Sequence, residues 1–446
     1  MDVLERAVAG MDASRARLEP PLSRPPAARP EPAFSEPVEL LIDLVGAQGD
    51  GVASGRIYTP LTLAGERVMA RVAGDRAEVE SILTPSPERV EPPCPHFGAC
   101  GGCSLQHWSH APYLAWKVEQ IRLTLAREGI ETNFVEAFAA APGSRRRVAL
   151  HARKGSRAAA VVGYKARRSW NLVPIEVCPI ADPRLVAAFP ALRRLAPPFF
   201  QSPKSAPMLH VTLTGTGIDV DVTGVERRSG GLSADAGREV AARAAEAGFA
   251  RVTLGGEMLY GAMQPVVQFG RGRVVLPPGG FLQASQAAET AMAAFICEAA
   301  AGANRIADLF CGAGTFTFPL ADIAPVLAAD SSPEAIAALK AGLPTAPGLK
   351  PVDAQARDLF RRPVLAAELK KIDVVVFDPP RAGAAEQAAQ LAESKVSTVV
   401  GVSCNPATFA RDAAILIAGG FRLDRVKPVD QFLWSPHIEL VGVFVR

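Results

Sequence analysis

The chain has 446 residues, 49% of them hydrophobic and 21% charged, with a formal net charge of +3. That length exceeds one ordinary core and implies two or three domains. So small a net charge does not by itself argue for a polyanionic partner, and no uncharged apolar run reaches the ~18 residues of a membrane helix. Seven cysteines, an odd number in a long chain, argue against a secreted disulfide framework and for the reducing cytoplasm.

Residues 1–35 end in LEPPLSRPPAARPEPAFSEP, a Pro/Ala/Arg-rich stretch without period, and read as a disordered leader with one short helix near its start. Its acidic beginning lacks the apolar core of a secretory signal. Residues 36–85 alternate apolar and polar positions between Gly/Asp turns, which predicts a small all-β barrel. Next, CPHFGACGGC places Cys94, Cys100 and Cys103 in one loop, with Cys178 far downstream in EVCPIAD. Three close thiols and a remote fourth suggest metal. Zinc more often shows two close pairs, whereas three in a loop plus a Cys-Pro suits a four-thiolate iron–sulfur cluster; composition leaves both open. A helical stretch follows at 110–128. From Ser144 to Trp170 nine Lys or Arg occur without one Asp or Glu. This is either a solvated basic face or a phosphate-tracking surface on which Tyr164 and Trp170 can stack. Short strand patterns dominate 145–280, so 86–280 is expected to be a β-rich central domain.

In 281–446 buried-strand runs alternate with helical patterns, which predicts a doubly wound parallel sheet. The first such strand runs into Cys311-Gly312-Ala313-Gly314-Thr315, where Gly312 and Gly314 permit a tight turn and close approach of a ligand. Asp308 precedes this turn, and Asp330 ends the next strand, where a carboxylate can accept ribose hydroxyls. Phe316 stands where a dinucleotide fingerprint would need a glycine, which argues against NAD. Cys311 reads as a small packing residue. A further strand ends in Asp378-Pro379-Pro380-Arg381. Together these features resemble the class I methyltransferases that use S-adenosylmethionine.

Cys404 closes the strand after Asp378, so a parallel sheet brings both to one carboxyl edge. A cysteine there suits one chemistry. Carbon 5 of a pyrimidine is too weak a nucleophile to attack a sulfonium methyl, but thiolate addition to carbon 6 creates an enolate with density on carbon 5. A base must then remove the carbon 5 proton so that the thiolate can leave. Glu439, set between Ile438 and Leu440, is the candidate, because burying a carboxylate there without a task is costly. His437 has the alternative of a satisfied polar residue at a strand start.

DLFCGAGTF, DPPRAG, SCNPAT and SPHIE resemble the bacterial RNA uracil-C5 methyltransferases, from residue 36 onward. The resemblance implies a multidomain α/β protein: a TRAM (OB-like) RNA-binding barrel at 36–85, a central domain with an iron–sulfur loop at 86–280, and a Rossmann-like methyltransferase domain at 281–446. It implies Cys404 as nucleophile, Glu439 as base, Asp378 near both methyl donor and uracil, and Gln283 as a contact of the donor. It further implies a [4Fe-4S] cluster on Cys94, Cys100, Cys103 and Cys178, a pattern of the ribosomal-RNA branch, and hence 23S ribosomal RNA as partner. Two positions depart from the family: Ser285 where many members have Asn, and Pro379-Pro380 where several have Pro-Ala. The competing readings are the same chemistry on transfer RNA, a cytosine-C5 enzyme, disfavoured by Arg381, and a non-catalytic RNA-binding scaffold, disfavoured by Cys404 and Glu439 together.

Overall fold

The computed structural model describes residues 34–155, 159–226 and 232–446. The expected leader, 1–35, lies outside the described residues except for its last two. The strands Val38–Val45, Gly51–Ala53, Ile57–Thr59, Arg67–Ala73 and Arg76–Thr84 close into a barrel in the order first, second, third, fifth, fourth. Closure removes both sheet edges, and alternate residues such as Ile42, Val68 and Ala70 fill the interior.

The middle of the chain forms a seven-stranded sheet. Its spatial order is Leu172–Pro174, Val161–Lys165, Arg147–Arg153, Met208–Thr214, Gly217–Thr223, Arg251–Leu254 and Glu257–Gly261. All neighbours are antiparallel except Gly217–Thr223 with Arg251–Leu254, which are joined through the helix Ala234–Glu246. Leu150, Leu192, Phe199, Val220 and Val240 share the core beneath the helices.

The nine-stranded C-terminal sheet is the frame of the site. Val352–Ala356, Val326–Asp330, Ile306–Leu309, Val374–Phe377 and Thr398–Ser403 lie side by side and parallel. Glu439–Val445 then pairs antiparallel with Thr398–Ser403, and Arg422–Asp430 follows it. The strands run outward in both directions from the pair Ile306–Leu309 and Val374–Phe377, which makes the crevice beyond their carboxyl ends the expected ligand site. Among the described residues no helix is long and apolar enough to cross a membrane.

One segment departs from the expected layout. The sequence pattern places residues 110–139 in the central region, yet they lie with the C-terminal sheet. The helix His110–Arg127 lies against the helix Pro406–Ala418, and its Ile121 and Leu125 join the core of Val375, Phe377 and Leu416. The strands Asn133–Phe134 and Phe138–Ala139 extend the C-terminal sheet along Arg422–Asp430. The apolar stripe of this helix needs a partner, and the open edge at Arg422–Asp430 supplies the backbone groups for the strands that follow. The hairpin of Val266–Phe269 and Gly272–Val275 contributes Phe269 and Val274 to the other core of the same sheet, with Val374 and Val376.

A buried polar clasp completes the attachment. Lys117 donates to Asp430 at 2.6 Å and to the Phe432 carbonyl at 3.1 Å, and the Tyr113 hydroxyl donates to the other Asp430 oxygen at 2.7 Å. Lys117 and Asp430 are both fully buried. Removing one partner of such a pair strands the other charge, so Lys117→Met is expected to cost about 3–5 kcal/mol, measured by denaturant unfolding against the parent protein.

Candidate active site

The turn after Ile306–Leu309 is built by conformations few side chains allow. Gly312 and Gly314 have φ of +54° and +103°, and Phe310 before them sits at +62°. A Cβ on Gly314 would lie 2.9 Å from the Phe318 ring and 3.1 Å from Leu339. Glycine is therefore required there by space as well as by angle. The Gly312 N–H donates to one Asp330 oxygen at 2.9 Å and the Ser332 N–H to the other at 2.8 Å. Asp330 is thus fixed at the strand end, with further lone pairs on both oxygens available to a ligand.

Asp308 lies below this turn and is wholly buried. The Thr317 hydroxyl donates to one of its oxygens at 2.6 Å, while the other has no partner. Burial, aided by the charge of Asp330 and opposed by the Thr317 bond, pushes its pKa up to about 7.

Across the crevice, register decides which groups meet. Ser403 pairs with Leu440 in the antiparallel ladder, and continuing the register by one pair sets Cys404 opposite Glu439. Residues opposite each other on antiparallel strands present their side chains to the same face. Cys404 is half-buried and Glu439 buried. Burial pushes the Cys404 thiol up to about 11, with Glu439 and Asp378 adding to the shift and Arg381 opposing it. Burial raises Glu439 to about 7 against a bond from Gln431. Asp378 is raised well above the usual carboxylate range by burial and then by Glu439. Two carboxylates in one dry site do not both ionise readily, so the pair titrates as a unit.

The side chains of Gln283 and Gln431 tie these groups together. Gln431 uses both amide hydrogens, donating to Glu439 and to the Gln283 carbonyl oxygen at 2.8 Å each, and accepts from the Ala284 N–H at 3.0 Å. Gln283 passes the order on by donating to Asp378 at 3.3 Å. The Asp378 loop is also locked to the Cys404 loop: the Asn405 amide and Thr408 hydroxyl both donate to the Arg381 carbonyl at 3.2 Å.

The structure therefore brings Gln283, Asp378, Cys404 and Glu439 to one side of the crevice and Asp308, Gly312, Gly314 and Asp330 to the other. Sequence reasoning missed Gln431, and also Arg146, which is buried, paired with Glu289 and bonded to the Gln283 carbonyl at 3.0 Å. Gln431 carried the same signal as Glu439, a polar group directly beside a buried strand. Arg146 was hidden inside a basic run. His437 is exposed and bonds through its backbone to Ser435.

Four other cysteines also converge, but loosely. Cys94, Cys100, Cys103 and Cys178 line one cavity of about 340 Å³ together with Phe432, Leu433 and His437. Burial pushes the Cys103 thiol up to about 12 and raises Cys100 and Cys178, with the neighbouring thiols adding to each shift. Among the described residues no group of three or more His, Cys, Asp or Glu side chains is gathered tightly enough to clasp a single metal ion. The cysteine loop reaches the approach to Glu439 directly, since the Ser104 and Leu105 N–H groups donate to the Trp434 carbonyl at 2.9 and 3.0 Å.

A model of the tRNA (uracil-5-)-methyltransferase family matches residues 351–446, the stretch holding Asp378, Cys404 and Glu439. An uncharacterised RNA methyltransferase of Caulobacter vibrioides is 63% identical over 92% of this chain and 100% of its own. The 23S rRNA (uracil(1939)-C(5))-methyltransferase RlmD of Halomonas elongata is 33% identical over 97% of this chain and 94% of its own. The chain belongs to the RNA uracil-5-methyltransferase family. The fold is shared with the Pyrococcus abyssi tRNA (uracil-54, C5)-methyltransferase crystallised with S-adenosyl-L-homocysteine. That likeness has a TM-score of 0.69 at 23% identity and covers 91% of this chain and 99% of that one.

The buried carboxyl of Asp308 makes stability depend on pH. Its folded pKa lies above the ordinary value, so its contribution to stability is fully present below about 3.8 and is lost as pH rises through about 7. Asp308→Asn keeps the acceptor for Thr317 and removes the charge. The variant should gain stability over the parent, on the order of a few kcal/mol at pH 8, with the gap closing below pH 5. Thermal unfolding of both proteins across that range measures it.

Proposed function

We propose that this protein methylates carbon 5 of a uridine in 23S ribosomal RNA through a covalent adduct on Cys404. The observation that carries the chemistry is the placement of a thiol opposite a buried carboxylate beside the Gly312 turn. The RlmD relative favours ribosomal RNA, and the cysteine quartet agrees with that branch by resemblance. The family model's name favours transfer RNA as the second reading. Mapping 5-methyluridine in both RNA classes with and without the gene separates the two.

The Gly312–Gly314 turn, Asp308, Asp330 and Gln283 form the cradle for S-adenosylmethionine, which supplies an electrophilic methyl group. Cys404 loses its proton to solvent on the open side of the cleft, a loss that Arg381 favours. Its thiolate bonds to carbon 6 of the uracil, and the ring electrons move onto the carbon 4 oxygen. Asp378, kept protonated by burial and by Glu439, is the O–H donor suited to that oxygen. Once carbon 5 has taken the methyl group, Glu439 removes its proton, the carbon 5–carbon 6 double bond reforms and the thiolate leaves. Gln431 holds Glu439 in place and donates to its ionised form. The barrel at 36–85, read as a TRAM module, and the central sheet grip the RNA while one base is turned into the crevice.

The proposal includes a [4Fe-4S] cluster on Cys94, Cys100, Cys103 and Cys178. Four thiols spread around a cavity, with three of them raised by burial and by one another, suit a multi-atom cationic centre better than one ion. Its chemistry here would be structural, cross-linking the cysteine loop beside residues 432–437.

Two outcomes test these assignments. Cys404→Ala should lose methyl transfer by at least about 10³-fold and form no adduct. Glu439→Gln should methylate once and then stall, accumulating a protein–RNA adduct that survives denaturing electrophoresis and carries label from the methyl group. Normal turnover by either variant overturns the roles. Protein purified without oxygen should be brown and hold about four iron per chain, and Cys178→Ser should be colourless; one zinc per chain in the parent would overturn the cluster.

A further inference from the structure

The structure divides the basic stretch 144–170 into arginines already engaged and cations left over. Arg146 is buried against Glu289. Arg145 donates to the Arg147 carbonyl at 2.9 Å and Arg147 to the Gly279 carbonyl at 3.4 Å. Arg167 and Arg168 both pair with Asp50 of the barrel, at 2.5 and 3.3 Å. Arg157 lies outside the described residues, and Arg153, Lys154 and Lys165 remain, with no ion pair among the described residues.

All three line one cavity of about 720 Å³ on the central sheet, bounded by the three strands at one end of it and by the loop at 200–206. The volume falls within the roughly 300–1,000 Å³ of small-ligand pockets. Trp170 and Phe200 form apolar parts of its wall. Trp170 is 54% exposed, and the Lys165 ammonium lies 3.8 Å from its ring centroid. Among the described residues no Asp or Glu lines this cavity. Glu226, bonded to the wall residue Ser202 at 2.5 Å, is further engaged by Lys204 at 3.8 Å. Cations gathered around an exposed indole, with no carboxylate in the described wall, suit a ligand that is anionic and planar at once. The cavity shares no residue with the crevice of Cys404 and Glu439. It is joined to the cysteine loop through Lys165, whose carbonyl accepts the Gly101 N–H at 3.0 Å.

We propose that this cavity is a second RNA site, binding one or two unpaired nucleotides beside the target, with phosphates on Arg153, Lys154 and Lys165 and a base stacked on Trp170. It rests on RNA being the substrate of the methyltransferase crevice. Single strands are favoured because a base inside a duplex has no free face for the indole, whereas an unstacked base does.

The test is a titration of the full-length protein, read by tryptophan fluorescence and by salt dependence. The probes are an eight-residue oligouridylate, a duplex RNA of equal length and uridine monophosphate. The oligouridylate should quench fluorescence and bind at least fivefold tighter than the other two. Trp170→Leu should abolish most of the quenching, and Trp170→Tyr, which keeps a stacking face, should restore the affinity. The triple variant Arg153→Ala, Lys154→Ala and Lys165→Ala should lower the slope of log K against log salt by about 2, at about 0.7 per phosphate contact. If the parent binds and methylates RNA and these variants match it in slope and affinity, the cavity is overturned and the methyltransferase reading stands. If uridine monophosphate binds as tightly as the oligomer, the cavity is a free-nucleotide site and the proposal fails. If Trp170 reports oligouridylate binding in a protein that methylates no RNA, the cavity is supported and the function is what fails.

Discussion

The antiparallel pairing of Glu439–Val445 with Thr398–Ser403 is the contact on which the crevice depends. A parallel strand in that place would begin at the far edge of the sheet and carry its first residue away from Cys404. Running the other way, the last strand starts at the carboxyl edge and presents Glu439 where the preceding parallel strands end. Strand direction and a one-residue register thus set the Cys404 thiol opposite the Glu439 carboxylate, 35 positions further along the chain. A slip of one residue would turn Glu439 to the opposite face, where it would meet apolar side chains instead of Gln431.

Crowding of acids is the second constraint. Asp308, Asp330, Asp378 and Glu439 converge on one dry edge, and each raises the proton affinity of a neighbour. The side chains that bond the three buried ones are amides and a hydroxyl rather than cations: Gln431 on Glu439, Gln283 on Asp378 and Thr317 on Asp308. A cation there would hold the carboxylates ionised. Amides leave their proton affinity high, in the range a base needs near neutral pH. Gln431 is effective because one planar group serves Glu439, Gln283 and the Ala284 backbone at once.

The N-terminal parts are attached to this edge rather than merely tethered beside it. Tyr113 and Lys117 hold Asp430, the neighbour of Gln431, and the Tyr113 hydroxyl also accepts the Trp434 N–H at 2.8 Å. The cysteine loop bonds to the carbonyl of that same Trp434. The loop between Asp430 and Glu439 is therefore gripped from two sides by chain that precedes the central sheet. Disturbance of the helix or of the cysteine loop would be felt at Glu439 before any side chain lining the crevice was altered.

The sequence by itself determined the local chemistry and the fold class. Gly312 and Gly314 announced a tight turn, alternating runs announced a parallel sheet, and Cys404 and Glu439 stood out as polar groups in apolar surroundings. The short-range pattern of side chains is enough for such features, because each is satisfied or violated within a few residues. Tertiary structure alone decided the rest. Whether Arg146 faced RNA or Glu289, whether the helix at 110–127 served the central or the final sheet, and that Gln431 would bridge Gln283 and Glu439 all depend on partners more than a hundred residues away or on the register of a strand pair. A basic run looks the same in sequence whether its charges are spent inside the protein or left for a ligand; only the packing of distant elements separates the two.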